Sequence, residues 1–249
     1  MNREAQGVVL LLVGGAILRA SVTDMYLRYV RAGLRPLLIL AGIVLIITAL
    51  ATFWYEFKSR KAARPEPEHA RGDGHEHGRG HGHGHREPRV SWLLLLPLFA
   101  LVLVAPPALG SYAADRTGTA LQPPPGFPTL SSGDPLALSM LDYATRAVYD
   151  HGHSLGDRHV TITGFVTHAP DGTPVLTRMV LNCCAADALP VKVGLVGKVP
   201  DGLRADTWLT VTGTYTAKEV KDVYNGGMIP YIDVNQAVHV PTPRDPYDR

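Results

Sequence analysis

Residues 90–110 read VSWLLLLPLFALVLVAPPALG and contain no ionisable side chain. About twenty residues rising 1.5 Å each cross a hydrocarbon core of roughly 30 Å. A core helix of this length in a soluble protein would keep a polar face, and this stretch has none. We therefore expect a transmembrane helix here, with a membrane part before it and a soluble part after it.

Two earlier apolar runs extend the expected membrane part to three spans. Residues 5–18, AQGVVLLLVGGAIL, are short for a span unless the helix continues through Arg19 near the interface. Gly14 and Gly15 in this run would let a neighbouring helix approach closely. Residues 36–55, PLLILAGIVLIITALATFWY, are uncharged and end in three aromatic residues of the kind that prefers the membrane interface. Transmembrane helices 1 and 2 are thus expected within residues 1–56.

The distribution of Lys and Arg predicts the orientation of these spans. Six basic residues flank the loop between the second and third spans, and four lie in the first connection. Cytoplasmic loops carry the excess of positive charge. We expect a bacterial plasma-membrane protein with a cytoplasmic N-terminus and an extracytoplasmic C-terminal domain.

The loop at residues 57–89 contains the histidine-rich tract HARGDGHEHGRGHGHGH at 69–85. A Gly- and His-rich composition cannot form a packed core, so we expect disorder. Imidazole is a common ligand of transition metals. The tract is therefore a candidate metal-binding loop or, alternatively, a connector without function. Its candidate ligands are His75, His77, His81, His83 and His85.

The overall composition excludes several classes of protein. The 249 residues are 46% hydrophobic and 18% charged, with a formal net charge of +2. This charge is too small to indicate nucleic-acid binding. Two adjacent cysteines, Cys183 and Cys184, cannot form a disulfide framework between distant parts of the chain.

The soluble half is expected to be a membrane-anchored α plus β unit. A Pro- and Gly-rich linker at 111–133 precedes a domain at 134–241 and a tail at 242–249. A helix is predicted first, capped by Asp134 and with Pro135 in its first turn. Five strands with period-two alternation favour a small OB-like β-barrel, with a β-sandwich as the alternative. The helix is expected at 134–150 and the strands at 159–168, 175–184, 189–196, 207–216 and 229–240.

The segment VLNCCAADA at residues 180–188 carries the unusual chemistry of the soluble half. Two thiols and the carboxylate of Asp187 lie within five residues, where Cys183, Cys184 and Asp187 could bind Zn²⁺ or another transition metal. His159, His168 or His239 could complete such a site. The same cysteines could instead form a disulfide between neighbours, or one could be a small buried hydrophobic residue and the other a partly exposed thiol. The residue pattern leaves these three interpretations open.

The chain resembles the YcgQ-like permease subunits of Gram-positive bacteria. The resemblance rests on the N-terminal helices, the charged loop, the Pro-Pro ending of the third apolar segment, and the core Cys-Cys-Ala-Ala-Asp-Ala at 183–188. It implies a separately encoded multi-span permease as partner, and it implies no reaction.

The leading functional hypothesis is a non-enzymatic accessory subunit of a permease, whose external barrel binds or gates a solute such as a transition metal. A cell-envelope module that binds a glycan or peptide through Trp208, Tyr215, Tyr224 and Tyr231 is one alternative. An extracytoplasmic thiol redox sensor is another. The sequence contains no Ser-His-Asp, Walker or dinucleotide-binding motif, so ordinary hydrolase, ATPase and dehydrogenase functions have no support.

Overall fold

The computed structural model of the chain describes residues 3–62 and 107–248. Within this range the chain forms two units. The first holds residues 3–23 and 35–62, and the second holds Asp24–Leu34 and the residues from Pro107 onward. The histidine-rich tract, and the predicted span at 90–110 up to residue 106, lie outside the described residues.

The first unit consists of the helices α1 (Arg3–Val22) and α2 (Arg35–Ala62). Within residues 3–62 and 107–248, one helix, Ala32–Ser59, is long and apolar enough to cross a membrane, with a mean hydropathy of 2.6. The other apolar helical run, Gln6–Val22, is shorter. The structure thus shows one candidate membrane anchor, and it does not show the three expected spans.

The two helices pack closely at Gly14. A Cβ atom added to Gly14 would lie 2.9 Å from Ile46 Cγ1 and 3.0 Å from the carbonyl oxygen of Gly42. A Cβ atom added to Gly15 would have nothing within 4 Å. Of the two glycines that the sequence singled out, Gly14 therefore permits the close approach and Gly15 does not.

The second unit is built on a closed β-barrel. The barrel strands are β2 (Val160–His168), β3 (Pro174–Val180), β4 (Leu189–Gly197), β5 (Trp208–Lys221) and β6 (Met228–His239). They run in the order β2–β5–β6–β4–β3, and pairing of β3 with β2 closes the barrel. All these pairs are antiparallel except β4–β6. The predicted five-stranded barrel is confirmed, and the sandwich alternative is wrong.

The helix before the barrel begins later than predicted. Residues Leu136–Ala137 form a short strand, β1, parallel to β2, with Leu136 N donating to His159 O at 2.8 Å. A short helix, α3, covers Ser111–Ala114, and the expected long helix, α4, covers Met140–Tyr149. The side chain of Ser139 caps α4 by accepting from Asp142 N at 3.0 Å. Pairing with β2 and this cap move the helix start from residue 134 to Met140.

The Pro- and Gly-rich stretch before α4 lies against the domain. The guanidinium of Arg146, which is 2% exposed, donates to Pro128 O at 2.9 Å. The hydroxyl of Tyr149 donates to Leu121 O at 3.0 Å. The last described residues also belong to the sheet, because β7 (Tyr247–Asp248) pairs in parallel with β3. The folded unit therefore includes contacts from both segments that flank the predicted 134–241 domain.

Replacing Gly14 with Leu is expected to destabilise the helix pair, because the larger side chain would overlap Ile46 and the backbone of α2. Overpacking of this kind costs about 1 to 3 kcal/mol. The unfolding of the full chain in mixed micelles, followed by the circular dichroism of the helices, measures this loss. Gly15→Leu is the matched control and should unfold like the parent. Equal destabilisation by both substitutions would contradict the packing described here.

Candidate metal centre

Both cysteines lie in the loop between β3 and β4. The strand predicted to continue to residue 184 ends at Val180, and β4 begins at Leu189. A single 3₁₀ turn, Ala185–Asp187, occupies the second half of the loop. Because the strand ends before Cys183, the two neighbouring thiols are not forced to opposite faces of a sheet.

The carboxylate of Asp187 folds this loop back on itself. It accepts backbone N–H groups from Cys183 at 2.8 Å, Asn182 at 3.2 Å and Cys184 at 3.4 Å. In return, the sulfur of Cys184 accepts the backbone N–H of Asp187, which is the reciprocal arrangement of a capping box. The loop backbone is thus held by its own side chains.

This folding brings the three predicted ligands together. One ligand atom each from Cys183, Cys184 and Asp187 all lie within 4.8 Å of one another. Two ligands bound tetrahedrally to one zinc ion at about 2.3 Å are roughly 3.8 Å apart. Small rotations of the two thiol side chains would therefore suffice for binding. Both cysteines are free thiols; Cys183 is exposed and Cys184 is partly exposed.

Hydrogen bonds within the cluster shift the pKa values of the carboxyl group and of the Cys183 thiol in opposite directions. The hydrogen bond to Asp187, followed by that to Cys184, raises the pKa of the Cys183 thiol to about 11. Hydrogen bonds from the Cys183 side chain and backbone hold the pKa of Asp187 below its usual value. At neutral pH the carboxylate is therefore charged and the Cys183 thiol keeps its proton. A metal ion that binds here must displace this proton.

The histidines considered as further ligands lie elsewhere. His168 Nε2 is 3.1 Å from Leu203 O, and His159 Nδ1 is 3.4 Å from a carboxylate oxygen of Asp134. Neither residue, nor His239, belongs to the three-residue cluster. The candidate ligands His75, His77, His81, His83 and His85 fall outside the described residues.

The structure adds a neighbour that the sequence analysis missed. The segment Asp24–Leu34, which connects α1 to α2, forms backbone hydrogen bonds with the cysteine loop. Ala185 N donates to Tyr29 O at 2.7 Å, and Arg31 N donates to Cys183 O at 3.1 Å. These contacts use main-chain atoms only, so no side-chain pattern in the sequence signals them.

A cavity of about 480 Å³ lies on the α4 side of the same loop. Asn182 and Asp187 line it, together with Asp142 and Leu141 of α4 and Phe127 of the Pro-rich stretch. Asp187 thus borders both the cavity and the thiol pair.

The described residues define a β-barrel protein with one candidate membrane-spanning helix and a partly exposed cluster of two thiols and one carboxylate. Residues 133–248 match the family model described as the DUF1980 C-terminal domain. The C-terminal barrel domain is therefore similar to this family's C-terminal domain. No curated protein and no solved structure matched the chain.

Replacing Asp187 with Asn should make Cys183 more reactive, because the neutral amide removes the main cause of its raised pKa. A larger thiolate fraction should speed alkylation by iodoacetamide at mildly alkaline pH by about threefold or more. Mass spectrometry of the cysteine peptide measures the rate.

Asp171→Asn is the control for this experiment. Asp171 lies outside the cluster, and its lowered pKa comes from hydrogen bonds with Thr173. This control should alkylate at the parent rate. An unchanged rate in Asp187→Asn would show that the carboxylate does not govern the thiol.

Proposed function

We propose that the chain is a non-enzymatic, metal-binding accessory subunit of a membrane permease. Its barrel domain binds a transition metal ion, with zinc the best match, through Cys183, Cys184 and Asp187. The observation that carries this proposal is the approach of two thiols and one ionised carboxylate to within 4.8 Å of one another.

The donor set favours zinc over softer or harder ions. Thiolates bind Zn²⁺ and Cu⁺ well, whereas a carboxylate oxygen is a poor ligand for Cu⁺ and an ordinary one for Zn²⁺. Three protein ligands leave the fourth position of a tetrahedral ion open. Such a position, on an exposed loop, suits an ion that is taken up and passed on better than one held permanently for structure.

The proposed membrane topology has three spans. The segment Asp24–Leu34 and the residues from Pro107 onward belong to one folded unit, so they lie on the same side of any membrane that α2 crosses. A chain that leaves this side through α2 must cross again before residue 107. The apolar stretch at 90–110 is long enough for this return crossing after α2. With α1 as a further span, the barrel and the N-terminus lie on opposite sides, and the excess of Lys and Arg in the loop at 57–89 supports a cytoplasmic N-terminus and an extracytoplasmic barrel.

The partner in this proposal is a separately encoded multi-span permease. Its support is the resemblance of the helices and the Cys-Cys-Ala-Ala-Asp-Ala core to YcgQ-like permease subunits. The barrel would then present the metal ion to the permease on the extracytoplasmic side.

The glycan or peptide alternative has weaker support from the structure. Trp208 is 9% exposed and packs with Phe165 in a cluster apart from the barrel core, and Tyr231 is 8% exposed, so neither ring forms an exposed binding platform. The redox alternative uses the same loop, since two neighbouring free thiols can be oxidised to a disulfide. The experiment below separates it from metal binding.

Zinc titration of the purified full chain in detergent tests the proposal. The background should be a variant in which the tract histidines are replaced by Gln, which removes competing imidazoles. We expect one tight zinc site per chain in this background. Cys183→Ser and Cys184→Ser should each weaken it by about tenfold or more, because a hydroxyl is a much poorer zinc ligand than a thiolate.

The matched control is Ser132→Ala, which removes an exposed hydroxyl outside the cysteine loop and should bind zinc like the background variant. Zinc binding that is unchanged by both cysteine substitutions would contradict the proposal. Loss of two hydrogens per chain under mild oxidation, with no zinc bound by the reduced chain, would establish the redox alternative instead.

A further inference from the structure

We infer that metal binding at the cysteine loop is coupled to docking of the α1–α2 connection, defined as residues Asp24–Leu34. The inference rests on the proposed metal site and adds its regulation. Metal binding to the loop stabilises the docked position of the connection, and docking of the connection strengthens metal binding.

The first observation is that the connection forms backbone hydrogen bonds with the cysteine loop on both sides of Cys184. Arg31 N donates to the carbonyl oxygen of Cys183 at 3.1 Å, and the carbonyl oxygen of Tyr29 accepts from Ala185 N at 2.7 Å. Val30 and Cys184 are thereby paired as an isolated antiparallel bridge. The peptide groups that flank Cys184 are therefore fixed from outside the loop.

The second observation is that the connection is itself held in place. Tyr26 is 6% exposed, so its ring is buried. The hydroxyl of Tyr247, on β7, donates to Arg28 O at 2.9 Å and accepts from Leu109 N at 3.1 Å. The connection thus docks through a side-chain hydrogen bond and the backbone bridge, and it carries one buried ring. The connection therefore has a defined position against β7 and the cysteine loop.

These contacts act on the same stretch of backbone that positions the ligands. Asp187 holds the N–H groups of residues 182–184 from within the loop, while the connection holds Cys183 O and Ala185 N from outside. A side chain can reach a metal ion only if its backbone is correctly placed, so docking pre-organises the thiols. Fixing the ligands in advance lowers the entropic cost of binding.

Thermodynamic linkage makes the coupling between docking and metal binding reciprocal. If docking strengthens metal binding, metal binding must strengthen docking by the same factor. The connection is continuous with α1 at one end and α2 at the other. A rearrangement of the helices that pulls the connection away would therefore weaken the site and favour release of the ion.

The test removes one docking hydrogen bond without touching a ligand. Ala185 is the first residue of the 3₁₀ turn, and Cys184 before it is extended, with φ −150° and ψ 170°. This geometry accepts proline at the following position. Ala185→Pro would therefore delete the N–H that donates to Tyr29 O and keep the turn. Ala185→Ser is the matched control, because it retains this N–H.

We expect Ala185→Pro to weaken zinc binding to the full chain in detergent by about fivefold or more, in the usual range of coupling between sites. Ala185→Ser should bind zinc like the parent. In the unsubstituted chain, zinc should slow hydrogen exchange in the peptide that covers the connection. This second measurement needs no substitution, so it stands even if Ala185→Pro does not fold.

The possible outcomes separate the inference from the proposed function. Failure of the unsubstituted chain to bind zinc would overturn the metal site itself. Thiol-dependent zinc binding, with no change in exchange of the connection and equal affinity in Ala185→Pro and Ala185→Ser, would keep the site and overturn the coupling. Slower exchange with zinc, together with weaker binding in Ala185→Pro alone, would establish it.

Discussion

The carboxylate of Asp187 is the interaction on which the functional interpretation depends. It accepts hydrogen bonds from three backbone N–H groups, those of residues 182–184. These bonds fold the short segment between β3 and β4 into a defined loop. Without this charge the thiols of Cys183 and Cys184 would be neighbours in sequence with no reason to face one site. A hydrogen bond from the Cys183 side chain, together with the backbone bonds, lowers the pKa of Asp187, and the hydrogen bond to Asp187 raises the pKa of the Cys183 thiol. The loop is therefore organised before any ion arrives, and the ion must compete with a proton.

The barrel gives this loop a rigid base. Closure of five strands removes the free sheet edges, and the loop spans two paired strands, β3 and β4. β7 pairs with β3 at Met179 and Val180, directly before the loop, and carries Tyr247, which holds the α1–α2 connection. The cysteine loop is thus framed by the barrel on one side and by the connection on the other. This arrangement places a candidate binding site beside the chain segment that leads into the apolar helices.

Much of the barrel could be predicted from the sequence, because period-two alternation directly reflects which side chains a strand buries. The helix start could not, since the pairing of Leu136 with the strand at Val160 depends on residues far apart in the chain. The three ligands could be named because thiols and a carboxylate are chemically distinctive. Their mutual approach depends on backbone hydrogen bonds to Asp187, and the docking of residues 24–34 depends on main-chain atoms alone. Neither the approach of the ligands nor this docking can be recognised from the types of side chain in the sequence.

The central claim is that the loop of Cys183, Cys184 and Asp187 binds zinc. X-ray absorption at the zinc edge of the full chain, loaded with one equivalent of zinc, tests this claim most directly. The account predicts two sulfur neighbours at about 2.3 Å and lighter oxygen or nitrogen neighbours at about 2.0 Å. A first shell of nitrogen and oxygen alone, with no sulfur, would contradict it.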